Sequence, residues 1–292
     1  MKMKSICSTI RRLKMIQKYD GWMLAKTTIH HGGNEKTGST PVLRTIFMYV
    51  DGIGEVQMPY INGNAIRGKL RRMLMNEYFE ILGLTPEDLN PKVYHIFFSG
   101  GALEAAESNN AGIDLSLRRE IRDTFPHLSL LGGSIGNQII QGKLKVGHAF
   151  PVCKEYAVFL PNFLQNDERT NRYVRSFCDE SFQTRRDDLR ANRQEDEQAV
   201  QMKVDFECFI PGTKFYHWFV TEYANEIEAS VFGRLIELFR FNPWVGGLSG
   251  TGNGEVLFEY TPEPPSGNLY LAHIRDNKDK ILNLLNRLSD ML

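Results

Sequence analysis

Apolar and polar positions change period several times along the chain, and each change marks an element. Residues 21–31, GWMLAKTTIHH, alternate in part and predict a strand, which Gly32, Gly33 and a polar stretch to Thr40 break. Residues 44–50, RTIFMYV, predict a second short strand ending at the DGIG of 51–54. From Asn62 or Asn64, both good N-caps, the period turns helical. Ile66, Leu70, Met73, Leu74, Tyr78 and Ile81 make one apolar face, and Gly83 and Pro86 end it.

Residues 85–128 are mixed and helical in part. Residues 142–153, GKLKVGHAFPVC, predict a strand approached through Gly132, Gly133 and Gly136. Between 164 and 199 the chain turns polar and rich in both charges, as in TRRDDLRANRQEDEQ, which predicts an exposed, partly mobile insertion rather than core. Residues 200–223 predict a two-strand hairpin turned at Pro211-Gly212. A second amphipathic helix follows over 225–240, with Ile227, Val231, Leu235 and Leu238 on one face. A glycine loop (245–254), a last strand (EVLFEY) and a C-terminal helix (275–292) complete the chain.

The order strand, helix, strand, strand, helix, strand predicts an α+β fold with a ferredoxin-like, RRM-like βαββαβ core. That core spans about 19–83, 142–160 and 200–261 of a single domain, 1–292. Residues 84–141 form a helical insertion and 164–203 a second, large one.

Composition narrows the function. The 292 residues are 42% hydrophobic, enough for a sizeable core. Lys plus Arg equals Asp plus Glu at 35 each, so any nucleic-acid site is built by local clustering. Cys7, Cys153, Cys178 and Cys208 have no CxxC spacing, which argues against a disulfide framework or a zinc site and fits a reducing cytoplasm. No apolar run reaches the roughly 18 residues of a membrane span, and the basic N-terminus lacks the apolar stretch of a secretory signal.

Arg67, Lys69, Arg71 and Arg72 crowd the start of the first helix behind Asn62-Gly63-Asn64. Arg67 and Arg71, four apart, share a face. With the helix N-terminal N–H groups they predict an anion site for one or two phosphates. The competing reading is a solvated charged face whose stems lie on the core. Cations at a helix N-terminus oppose the macrodipole, which favours a bound anion.

Gly246, Gly247, Gly250, Gly252 and Gly254 punctuate the loop before the last strand. It is no dinucleotide fingerprint, because it follows a helix and enters a strand, and no Walker loop, lacking Gly-Lys-Ser/Thr. Two readings remain: close approach to a polyanion or to the first helix, and a simple connector. His30 and His31 are adjacent on a strand and point to opposite faces, so structural histidines are favoured over an acid–base pair. Lys26 and Thr28 share the His30 face, where a nucleic-acid contact is open. No metal spacing and no HExxH occur, and no cofactor is expected. Arg185 and Arg186, beside Asp187 and Asp188, read as a solvated loop.

Together these segments resemble the CRISPR-associated RAMP superfamily over most of the chain. PYINGNAIRGKLRRML is similar to the superfamily's Pro-Tyr-Ile-Pro-Gly-Ser-Ser-Leu-Lys-Gly-Lys-Leu-Arg signature, with Asn62 in place of a proline. PWVGGLSGTGNGEV resembles its C-terminal glycine loop, and IHHGGNEKTGSTPVLRT its first-strand segment. LSLLGGSIGNQIIQGKLKVGHAF resembles its Phe-Gly segment, and RRDDLRANRQEDEQAVQMKVDFECFIPGTKF a thumb followed by a hairpin. The thumb and the segment order point to the Cas-seven backbone branch. The GGSIGNQIIQGKLKVG stretch is most similar to the type IV backbone subunit, with type I-D and type III next.

The resemblance implies a guide-RNA-binding subunit that repeats as a helical filament on one CRISPR RNA and presents it to a DNA or RNA target. Implied partners are the other effector subunits: large, small, CRISPR-RNA-processing and terminal five-type. The first helix and the glycine loop would hold guide phosphates. The thumb, over 164–203, would reach the neighbour's RNA, with Arg185 and Arg186 near its base and Met202 either an apolar wedge or an ordinary core residue. Type III subunits carry a catalytic aspartate where this chain has Ser39 or Thr40, so no target cleavage is expected. The alternatives are a RAMP endoribonuclease using His30 or His31 as base, and an oligomeric ferredoxin-like protein whose cations are only surface.

Overall fold

The structure is a computed structural model that describes residues 16–37, 40–101, 114–135, 138–186 and 201–291. Ser39, Gly136 and the polar run 187–199 lie outside the described residues, as do the side chains of Arg185, Arg186 and Met202.

The main sheet begins with β1 (Ile16–Ala25). Tyr19, Gly21, Met23 and Ala25 turn inward on alternate positions, while Gln17, Lys18 and Asp20 do not join the core. That polar start hides the strand from its sequence, and β1 therefore begins five residues before the predicted 21. Its end is early too. After Ala25 the chain leaves the ladder, and Ile29 and His30 keep only single bridges, to Phe209 and Gly247. Gly21 is required in β1, because a Cβ there would lie 2.1 Å from the Glu259 carbonyl oxygen.

Two hairpins follow. β2 (Gly32–Thr37) pairs with β3 (Thr40–Leu43), and β4 (Thr45–Val50) with β5 (Gly54–Pro59) across the DGIG turn. Helix α1 (Gly63–Leu82) carries the predicted apolar face, with Ile66, Leu70, Leu74 and Tyr78 buried. Gly83, at φ 76°, closes it in the left-handed conformation that favours glycine. The next stretch is α2 (Pro91–Ser99), α3 (Leu115–Thr124) and α4 (Pro126–Leu131), then a small hairpin of β6 (Gly133–Ile135) and β7 (Gln138–Ile140).

The strand expected over 142–153 is two short ones, β8 (Leu144–Val146) and β9 (Phe150–Pro151). The break falls where Ala149 bridges Ile61 and the His148 ring meets the backbone of Gly63. Short helical turns lead through α5 (Asn162–Gln165) to β10 (Cys178–Arg186), then to β11 (Gln201–Phe209) and β12 (Lys214–Glu222). Helix α6 (Glu226–Phe241), β13 (Val256–Thr261), α7 (Asn268–Asp276) and α8 (Lys278–Met291) finish the chain, so the expected C-terminal helix is two, split at Asn277.

The hairpin expected over 200–223 does not form. β11 pairs with β10 over nine residue pairs, whereas β12 enters the main sheet between β1 and β8. Pro211-Gly212 is a crossing between sheets: the Gly212 N–H donates to the Ala25 carbonyl and the Thr213 hydroxyl to the Ile210 carbonyl. Part of the predicted polar insertion is therefore strand, and Leu164 and Val174 are buried rather than exposed.

The main sheet runs β13-β1-β12-β8, antiparallel throughout, with β9 also on β12. α1 and α6 pack on one face in a single cluster that includes Met23, Leu70, Leu74, Phe219, Phe232 and Leu235. Each such side chain contributes about 1.5–3 kcal/mol by burial. A smaller cluster beneath β4–β5 joins Met58, Val152, Tyr156, Leu160 and Tyr216. No helix among the described residues is long and apolar enough to cross a membrane.

Candidate nucleic-acid interface

The start of α1 is already saturated. Asn62, the N-cap, accepts the Asn64 N–H at 2.8 Å through its side chain. The Asn62 N–H donates to His31 Nε2 at 3.1 Å, and the Gly63 N–H to His148 Nδ1 at 3.0 Å. Ala65 N–H returns to the Asn62 carbonyl. These donors are spent inside the fold, so the expected anion site at the helix N–H groups is not there. A ring nitrogen that accepts an N–H carries no proton. Consistently, burial, with Arg44 nearby, pushes His31 down to about 4, and burial lowers His148.

The four cations do not form one site. With 3.6 residues per turn, Arg67 and Arg71 lie on nearly the opposite side of α1 from Lys69 and Arg72. Arg71 is only 6% exposed. It donates to the carbonyls of Phe97 at 3.4 Å, Leu131 at 2.9 Å and Gly132 at 2.7 Å. Arg67 shares the Leu131 carbonyl. Burial lowers the proton affinity of both, and Arg67 adds to it for Arg71, which falls to about 10. Arg118 and Arg122 of α3 donate in the same way to the carbonyls of Ile139 and Gln141. These arginines tie the α4–β6–β7 segment to the helices.

Lys69 and Arg72 instead face a groove of 660 Å³ between α1 and the loop after α6. Asn76, Asn242, Trp244 and Gly246 also line it, and among the described residues no acidic one does. Lys69 Nζ donates to Asn242 Oδ1 at 3.2 Å. Burial, then repulsion from Arg72, pushes Lys69 down to about 8. Neither cation forms an ion pair among the described residues.

The glycine loop divides by role. Its base is pinned to the exit of β1: Gly247 N–H donates to the His30 carbonyl at 2.7 Å, and Gly254 N–H to the Thr28 carbonyl at 2.8 Å. A Cβ on Gly246, at φ 79°, would lie 2.5 Å from the His30 oxygen. Its tip is open, with nothing within 4 Å of a Cβ at Gly250 or Gly252. The close approach left open by the sequence is thus made to the segment after β1.

The remaining candidates sit elsewhere. Lys26 pairs with Glu255. His30 donates through Nδ1 to the Glu207 carbonyl at 2.7 Å and packs edge-on against Phe206. Arg185 stands opposite Met202, and Arg186 opposite Gln201, at the far end of the β10–β11 ladder. That ladder is roughly 27 Å long at ~3.4 Å per residue. Gln183 Nε2 ties it to the glycine loop through Thr251 Oγ1 at 2.7 Å. Thr40 opens β3 at the edge of a 460 Å³ cleft with Glu207, whose carboxylate is already held by the Leu43 N–H and by Arg175. Among the described residues no group of three or more His, Cys, Asp or Glu could hold a metal ion.

Sequence reasoning missed Trp244, Asn76 and Asn242. The signal was present: FNPW, 241–244, sets aromatics between a helix and a glycine loop that faces cations.

No protein-family model and no curated protein matches the sequence. Among solved structures, a chain titled "Type IV-B CRISPR Complex" has a similar fold, with a TM-score of 0.60 at 21% identity. The match covers 86% of this chain and 93% of that one.

Proposed function

We propose that the chain is a guide-RNA-binding backbone subunit of a CRISPR effector complex, of the type IV branch, which lines up with its own copies along one CRISPR RNA. The groove carries this reading. Among the described residues Lys69 and Arg72 face it without carboxylate partners and no acid lines it, and it lies between the two segments that resemble the superfamily's guide-binding motifs. The sheet order supports a ferredoxin-like core in which β1, β8, β12 and β13 are the four strands and α1 and α6 the two helices. The likeness to the Type IV-B chain supports the branch. The β10–β11 ladder supports a thumb, since it projects a two-stranded arm joined to the glycine loop through Thr251. Zero net charge lets copies pack without mutual repulsion.

The subunit acts without catalysis in this reading. Thr40 cannot supply a carboxylate, His31 is committed to the Asn62 N–H, and His30 to the Glu207 carbonyl. The experiment is purification followed by nucleic-acid extraction and incubation with magnesium. The expected result is co-purified single-stranded RNA that stays intact. Protein that neither carries nor binds RNA would overturn the binding role. Cleavage abolished by His30→Ala or His31→Ala would overturn the non-catalytic one.

A further inference from the structure

The groove has more in it than a phosphate needs. A backbone phosphate is held by a few cations and N–H groups on an open surface. Here Lys69 and Arg72 line a half-open groove of 660 Å³, within the ~300–1,000 Å³ range of pockets that take small organic groups. Trp244 lines the wall, Phe239 and Val245 add apolar surface, and Asn76 and Asn242 contribute carboxamides.

The backbone that carries the indole is fixed on both sides. Trp244 N–H donates to the Asn242 carbonyl at 2.9 Å, Val256 N–H to the Pro243 carbonyl at 2.8 Å, and Trp244 itself bridges Glu255. An indole on a fixed backbone has only two side-chain torsions left to order when a flat ligand stacks on it.

We infer that this groove takes a nucleobase of the bound strand, stacked on Trp244, while Lys69 and Arg72 hold its phosphate. The inference rests on the reading that the chain binds single-stranded nucleic acid. The chemistry of the lining selects that ligand. Two cations and no acid call for an anion, the indole calls for a flat conjugated ring, and two carboxamides offer donors and acceptors to a base edge. A carboxamide serves either sense of hydrogen bond, so the pocket accepts different bases. Gly250 at the rim, with nothing within 4 Å of an added Cβ, leaves space for the sugar to enter.

The test compares two probes of equal length at one salt concentration: oligouridylate, and the same ribose-phosphate backbone without bases. Affinity is read by anisotropy, and stacking by quenching of tryptophan emission, with Trp244→Phe identifying the contribution of Trp244 against Trp22 and Trp218. The wild type should prefer oligouridylate by about tenfold or more. Trp244→Ala should erase that preference while leaving affinity for the abasic backbone unchanged. Trp244→Phe should keep most of the preference and lose the quench. Equal binding of both probes by the wild type, or a quench that survives Trp244→Phe, overturns the nucleobase pocket and leaves RNA binding standing. Failure of both probes to bind overturns the pocket and the binding role together. If Trp244→Ala does not fold, the quench in Trp244→Phe decides.

Discussion

Arg67 and Arg71 on one side of α1, and Lys69 and Arg72 on the other, put four cations within six residues, and the fold treats the two pairs differently. The first pair is folded under the helical insertion and anchored on backbone carbonyls that carry no full charge. The second pair looks across open space at a glycine-rich loop. Carbonyls satisfy the guanidinium donors without neutralising them, so burial, with Arg67 alongside, moves Arg71 down to about 10. The lesson is that charge density on a helix does not locate a ligand site. What faces each cation does.

The contrast predicts its largest effect at Arg71. Arg71→Ala removes three charge-assisted hydrogen bonds and strips the Gly132 carbonyl of its guanidinium donor in the interior, while the Leu131 carbonyl keeps only Arg67. It should lower stability by about 3 kcal/mol or more in urea unfolding. Lys69→Ala, half-exposed on the other side, should stay within about 0.5 kcal/mol of wild type. Equal losses from the two substitutions would erase the distinction between an anchoring cation and a ligand-facing one.

A smaller effect belongs to two histidines, His31 at the helix start and the buried His217 of β12. His31, pushed down to about 4, and His217, pushed down to about 3, are neutral when folded but titrate near 6.5 when unfolded. The unfolded chain therefore binds more protons between those limits. The stability these groups contribute is complete above about pH 6.5 and drains away as pH falls toward 4, and toward 3 for His217. The thermal midpoint should fall by several degrees between about pH 7 and about pH 5, and His31→Gln should flatten part of that slope. A midpoint that rises on acidification would contradict neutral acceptors at the Asn62 and Gly63 N–H groups.

Much of this was legible in the sequence. The helical period from Ile66 to Ile81 placed α1, and the Asn cap placed its start. Periodicity even separates Arg67 and Arg71 from Lys69 and Arg72. Which side is buried depends on α2 and α4, whose docking no local pattern records. Strand pairing was equally hidden. β11, which alternates polar and apolar residues, and the apolar β12 are joined by Pro-Gly, which reads as a hairpin, yet β11 pairs with the polar β10. β10 escapes a hydrophobic pattern because Asp179, Glu180 and Gln183 place polar groups along an arm that stands off the core. Trp244 was overlooked because one aromatic beside glycines reads as core until the groove beside it is seen.

The groove side of the comparison is tested most directly by the salt dependence of oligouridylate binding. On a single strand, each phosphate that the protein ceases to neutralise lowers the log–log slope by about 0.7. Lys69→Gln with Arg72→Gln, which together hold one phosphate, should therefore reduce the slope by about 0.7 and weaken binding, while Arg67→Gln, whose side chain is spent on the Leu131 carbonyl, should leave the slope unchanged. The reverse pattern, a slope that drops with Arg67→Gln and holds with the double variant, would contradict the groove as the guide-binding surface.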